Sequence, residues 1–174
     1  KEDMHVKELN PCRHITLSWQ NDRLLRLTPL AESDDGKSRI TKFARHGQRR
    51  AHHKGALPNH AGWVLDQESF FKTHEFQHSQ AYFSCVTSAT KHRQSIKMTL
   101  PAGLYLEIIF SGTFCDNAAK LSKRIEHFLQ ANDLEPVGNI YILPLENHWF
   151  SCDCEQYVNK IFLKVEDKDT TSLT

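Results

Sequence analysis

Long apolar runs are what this chain most clearly lacks. None of its 174 residues falls in a stretch approaching the ~20 apolar residues of a membrane span. No charged-then-apolar segment opens the chain as a secretory signal would. The first residue is Lys and not Met, so a fragment, or a chain short of its first residues, is expected. Cysteine is sparse and odd in number: Cys12, Cys85, Cys115, Cys152 and Cys154 form no visible disulfide framework, which points to a reducing cytoplasm. The pair Cys152-x-Cys154 near His148 is too closely spaced for a structural zinc site, and no second pair exists. No metal and no cofactor is expected. Nucleophile elbow, phosphate loop and dinucleotide fingerprint are all missing as well.

One stretch without acidic residues is notably basic. Between Gly36 and Leu65 there is no Asp or Glu, while Lys37, Arg39, Lys42, Arg45, Arg49, Arg50 and Lys54 are basic. Such a run makes a solvated helix face and loop, or a phosphate-binding patch. The net charge of +1 excludes a globally basic nucleic-acid binder. What is present is ordinary: 39% hydrophobic and 25% charged residues, enough for one domain with a real core or two small halves sharing one.

Periodicity then gives the elements. Residues 1–12 lack it and read as a tail or linker. His14–Gln20 alternates, with Ile15, Leu17 and Trp19 on one side, and Arg23–Leu30 is a second strand closed by Pro29. Asp34-Asp35-Gly36 starts a helix to about Arg50, with Ile40, Phe43, Ala44 and Gly47 as its thin apolar set. Residues 51–61 read as loop, Gly62–Asp66 as a strand, and Gln67–Glu75 as a loop carrying Phe70 and Phe71. Strands follow at Gln80–Ser88, Ser95–Leu100 and Gly103–Phe110. Asp116 is a plausible N-cap for a helix whose stripe is Leu121, Ile125, Phe128 and Leu129, ending at Asn132-Asp133. Asn139–Leu145 and Gln156–Glu166 close the series, and 167–174 is a polar tail.

The order strand, strand, helix, strand, strand occurs twice, at a spacing of about eighty residues. The expected fold is therefore α+β: two pseudo-repeated halves, residues 13–90 and 91–166, with antiparallel sheets side by side, a helix behind each, and a ligand cleft between them.

Several of these segments resemble a known family. Pro101-Ala102-Gly103-Leu104-Tyr105, with Gly112 closing the strand, resembles the opening strand of the second half of GyrI-like domains. Gly138-Asn139-Ile140-Tyr141 and, after a loop, Glu155-Gln156-Tyr157 fit the same pattern, as do Gly62-Trp63-Val64-Leu65-Asp66 and Gln80-Ala81-Tyr82-Phe83-Ser84-Cys85-Val86. The likeness covers residues 60–166 by motif and 14–55 by element order. These are the effector-binding domains of AraC-type and MerR-type bacterial transcription regulators, which also occur alone.

The resemblance implies a cleft for a small, often cationic and aromatic, organic molecule, held by aromatic stacking and a buried carboxylate. Tyr157 stands where such members have a ligand-contacting Tyr. Their acid follows the residue matching Tyr141, where this chain has Ile142. Two other acids are candidates. Glu107 lies inside an apolar strand, and Glu146 would share the face of Ile142 by strand alternation. Tyr105, Trp63, Trp149 and Phe110 complete the candidate ligand contacts, with Phe70, Phe71 and Phe114 as a possible rim. The function expected is a small-molecule sensor that reaches DNA only through a separate module, with no membrane partner and oligomerisation left open. The alternatives are a small hydrolase of the same fold, using Glu107 and Tyr157 beside a water, or a stand-alone domain that inhibits or sequesters a partner.

Overall fold

A computed structural model describes residues 15–51, 61–75, 78–86, 96–146 and 157–168. The strands are β1 (Ile15–Gln20), β2 (Arg23–Pro29), β3 (Gly62–Leu65), β4 (Ala81–Val86), β5 (Ile96–Leu100), β6 (Gly103–Ser111), β7 (Leu134–Glu146) and β8 (Val158–Asp167). The helices are α1 (Gly36–Ala51), between β2 and β3, and α2 (Phe114–Ala131), between β6 and β7. The doubled order strand, strand, helix, strand, strand is thus present.

The eight strands form one antiparallel sheet in the order β1-β6-β8-β7-β3-β4-β2-β5. The halves meet at a seam where β3 pairs with β7, Val64 opposite Tyr141. Each half also lends an edge strand to the other. β1 of the first half pairs with β6, and β5 of the second pairs with β2.

Chain connectivity forces this sheet to curl. β5 and β6 are six positions apart in the sheet, roughly 29 Å if it were flat at about 4.8 Å per strand. Only Pro101 and Ala102 join them, a link that reaches about 10 Å at most. The Asn21-Asp22 link between β1 and β2 makes the same crossing. The two links are tied together by the Ala102 N–H, which donates to the Asp22 carboxylate at 2.5 Å. The ends of the sheet therefore face one another and enclose a cleft.

Both helices lie on the outer face. On β7, Ile140 and Ile142 pack with Leu106, Ile108, Phe110, Ile161 and Leu163 against Leu121, Ile125 and Leu129 of α2. Trp63 is the register partner of both Ile142 and Tyr82, so it shares that face. There it stacks on Phe43 of α1 at 6.5 Å, and Tyr82 meets Phe43 edge-on at 5.2 Å.

Some local structure departs from the expectation. α1 does start where Asp34-Asp35-Gly36 predicts, with Asp35 accepting from the Ser38 N–H at 2.7 Å. Its inner stripe is only partly the apolar set read from the sequence: Phe43 meets Trp63 and Tyr82. Ile40 is 72% exposed, and the buried residue is His46, at 1%. The strands beneath α1 offer Thr28 and Ser84, so the helix meets them with hydrogen bonds. The N-cap of α2 is Thr113 and not Asp116; its hydroxyl accepts from the Asp116 N–H and donates to the Asp116 carboxylate. β7 begins at Leu134, earlier than Asn139, because a bulge at Gly138 (φ 76°) absorbs the irregularity that Pro136 and Gly138 announce. Gln67 bridges that bulge by donating to the carbonyls of Pro136 and Gly138. The expected loop with Phe70 and Phe71 contains a π-helical turn, Ser69–Thr73. Phe70 is fully buried against Phe71 and Phe114 in the α2 core, so these three rings do not rim the cleft.

Candidate functional site

The inner face of the sheet, turned away from both helices, carries the second core. Strand alternation and register place Leu25 and Leu27 of β2, Phe83 and Cys85 of β4, and Met98 and Leu100 of β5 on it from one side. From the other side come Tyr105, Tyr141, Leu143 and Phe162. The aromatic rings converge across the seam. Tyr141 and Phe162 stack at 5.1 Å, 11° from parallel, and Phe83 of the first half stands edge-on to both, at 5.5 and 6.0 Å. Such aromatic pairs add about 0.5–1.5 kcal/mol each beyond simple burial.

Arg23 sits on this cluster. Its guanidinium carbon lies 4.9 Å from the Tyr105 ring centroid and 4.7 Å from that of Phe162. β2 and β8 are four positions apart in the sheet, so this contact exists only because the sheet curls. Arg23 is fixed at the closed end of the cleft, one residue after the Asn21-Asp22 link. Tyr105, beside the other link, donates its hydroxyl to the Pro101 carbonyl at 2.7 Å. The Nε and Nη2 atoms of Arg23 are buried and have no hydrogen-bond partner. Among the described residues no carboxylate pairs with it. Leaving a buried donor unpaired costs about 1–3 kcal/mol, and more when it is charged.

The field of Arg23 reaches its neighbours. Burial pushes the Tyr105 hydroxyl up, and Arg23 opposes it. Burial, then Tyr105, push Tyr141 up to about 12, again against Arg23. Burial raises the Cys85 thiol, while Arg23 and Lys160 pull it down. Cations from both halves therefore converge near Cys85.

The residues singled out from sequence scatter. Tyr105 is buried in the cleft. Glu107 is on the same face, but Lys160 of β8 pairs with it at 3.5 Å. Trp63 and Phe110 are on the helix side, in contact with α1 and in the α2 core respectively, and so are not cleft residues. The reason is parity: Trp63 and Val64, or Phe110 and Ile109, face opposite ways. Tyr157 is half-buried, one residue before β8, and its carbonyl accepts from the Gly112 N–H at 2.7 Å. Alternation continued back from Asn159 and Ile161 puts it on the helix side. Ile142 is in the α2 core, and a register shift between Pro144 and Glu146 breaks the alternation expected to put Glu146 on the same face. Glu146 closes β7 opposite Val158, and its side chain lies outside the described residues. So do Trp149, His148, Cys152 and Cys154. Sequence reading missed Arg23, Tyr141, Phe162 and Phe83. Only the last three carried a signal, as aromatics at alternate strand positions.

Two other features are chemically suggestive. Ser84, His46 and Thr28 form a hydrogen-bonded row, each link 2.7 Å, resembling a nucleophile with its base. His46 belongs to α1 and Ser84 lies under it, on the helix side of the sheet, so the row is no part of the inner-face cluster. A depression of about 410 Å³ is lined by Glu32, Arg39, Asp66, Glu68, Glu75 and His78 among others. Among the described residues no group of three His, Cys, Asp or Glu side chains is arranged to hold a metal ion. No helix among them is long and apolar enough to cross a membrane. In the basic run, Lys42 pairs with Asp34, Arg39 Nε donates to the Asp34 carbonyl, and Lys37 and Arg45 are exposed. The side chains of Arg49, Arg50 and Lys54 lie outside the described residues.

The architecture is shared with several solved structures. The EcmrR C-terminal domain has a TM-score of 0.65 to this chain at 13% identity, with 88% of this chain and 98% of that one aligned. In the EcmrR–DNA complex the score is 0.67 at 14% identity, and this chain (88% aligned) spans only 57% of the longer EcmrR chain. SAV2435 bound to tetraphenylphosphonium scores 0.53 at 13% identity, over 88% of this chain and 94% of that one. A hydrolase encoded by lin2189 from Listeria innocua scores 0.58 at 8% identity, over 91% and 94%. At these identities the likeness fixes the fold. No family model matches the sequence, and no curated protein matches it significantly.

Proposed function

We propose that this chain is a GyrI-like sensor domain of a bacterial transcription regulator, binding an amphipathic aromatic molecule in the cleft between its halves. DNA contact would belong to a separate module. The observation that carries this reading is the aromatic cluster on the inner face, built by Phe83 from one half and Tyr105, Tyr141 and Phe162 from the other. It occurs in a fold shared with EcmrR and with SAV2435, the latter seen with tetraphenylphosphonium bound. A molecule stacked there touches both halves. It stabilises the arrangement in which they close on it, and an attached module reads that bias. Binding rather than chemistry is favoured by the groups present. Burial keeps the Cys85 thiol protonated, and Glu107 is engaged with Lys160.

Thermal melting against a series of naphthalene derivatives, neutral, cationic and anionic, tests this. A ligand at a hundred times its Kd stabilises by about 2.7 kcal/mol, a readily measured rise in Tm. At least one derivative is expected to give a saturable rise that Phe162→Leu weakens. A flat Tm with every derivative sinks the proposal.

A further inference from the structure

The charge inside the cleft is the reverse of what a cation receptor needs. The cationic group on the aromatic faces is the protein's own: Arg23, over Tyr105 and Phe162. An incoming cation would have to stack beside a like charge or displace it. Glu107, a carboxylate on this face, already faces Lys160. The two unpartnered atoms of Arg23 are also a specific pair. Nε and Nη2 form one edge of the guanidinium, with parallel N–H bonds spaced to meet the two oxygens of a carboxylate. The edge is buried, so an oxyanion that reached it would bind with little competition from water.

We propose that the cleft binds an aromatic organic acid, its carboxylate held by the Nε–Nη2 edge of Arg23 and its ring body packed against Tyr105, Tyr141 and Phe162. This deepens the sensor reading and rests on it. Cys85 and Tyr141, whose titrations both feel Arg23, mark how far its positive field extends through the site. Lys160 is paired with Glu107, so those two groups add no net charge and Arg23 is the cation that faces the rings.

Isothermal titration with three matched probes decides it: 1-naphthaleneacetate, 1-naphthalenemethanol and (1-naphthylmethyl)trimethylammonium. A charge-assisted bidentate pair makes the acid bind the wild type roughly tenfold or more tighter than the alcohol. Arg23→Met is expected to bring the acid down to the level of the alcohol while leaving the alcohol unchanged. Arg23→Lys, which keeps the charge and loses the fork, binds the acid more weakly than wild type. If both variants prove unfolded by circular dichroism, the order of the three probes on the wild type decides alone. Equal binding of acid and alcohol, tighter binding of the ammonium, or an undiminished acid affinity in folded Arg23→Met overturns the anion proposal and leaves the sensor reading standing. Binding of none of the three removes both.

Discussion

Asp34 accepts the Lys42 ammonium, the Ala31 N–H and the Ser38 hydroxyl at the start of α1. These contacts, Lys42 first, hold its pKa at about 2 against an ordinary 3.8, although slight burial works the other way. A folded-state pKa below the unfolded one means stability that is present above pH 4 and lost as pH falls towards 2. Burial tends to raise Asp66, but hydrogen bonds from Ser69 and the Glu68 N–H leave it lowered, so it adds to the same loss. Tm measured from pH 5 to pH 2 should therefore fall more steeply for wild type than for Asp34→Asn, with some slope remaining in the variant. Parallel curves would mean that the Asp34 contacts do not contribute in solution. At this scale the sequence is legible where identity alone carries the meaning. An acid inside the apolar run of β6 needs a partner, and Lys160 supplies it. It is illegible where a basic residue after a turn is the cation of a buried site: nothing near Arg23 in sequence hints at Tyr105 or Phe162, some eighty and one hundred and forty residues away.

α1 shows what periodicity can and cannot reveal about an element. Its extent was readable, because Asp35 caps it and no breaker interrupts it. Its buried face was not, since polar residues fill it: His46 links Thr28 to Ser84, its carbonyl accepts from Arg26, and the Arg39 carbonyl accepts from Tyr82. A hydrophobic count seeks an apolar stripe and finds Ile40, which faces solvent. The same parity problem displaced Trp63 and Phe110, for a strand seen alone does not say which face is the cleft. Urea unfolding separates the two views of α1. Ile40→Lys should change stability by less than about 0.5 kcal/mol, as surface substitutions do. His46→Ala strands the buried Ser84 hydroxyl and the half-buried Thr28 hydroxyl and should cost about 2 kcal/mol. The opposite order would restore Ile40 to the core.

For the whole molecule, the exchange of edge strands makes the two halves unequal partners. Fourteen of the sixteen buried residues of the helix-side core around α2 come from residues 91–166, with only Leu65 and Phe70 from outside. Among the described residues the first half shows no comparable store: its Leu25, Val64, Ala81 and Phe83 are buried against Leu100, Tyr105, Tyr141, Leu143 and Phe162. Alone, it also loses β5 from one edge and β7 from the seam. The doubled element order was visible in sequence, because each repeat carries its own strands and helix. The exchange was not, because a two-residue link between strands ordinarily signals a hairpin, and here each such link crosses the cleft. Circular dichroism of separate fragments tests this arrangement. Residues 13–90 are expected to be unfolded by themselves and residues 91–166 to keep α2 on the three strands β6, β8 and β7. Mixing the two should restore the strand signal and the cooperative melt of the intact chain. A cooperatively folded 13–90 fragment would show that the first half does not depend on the second for its core, and with it that the cleft is a junction of two finished domains instead of a site built by both.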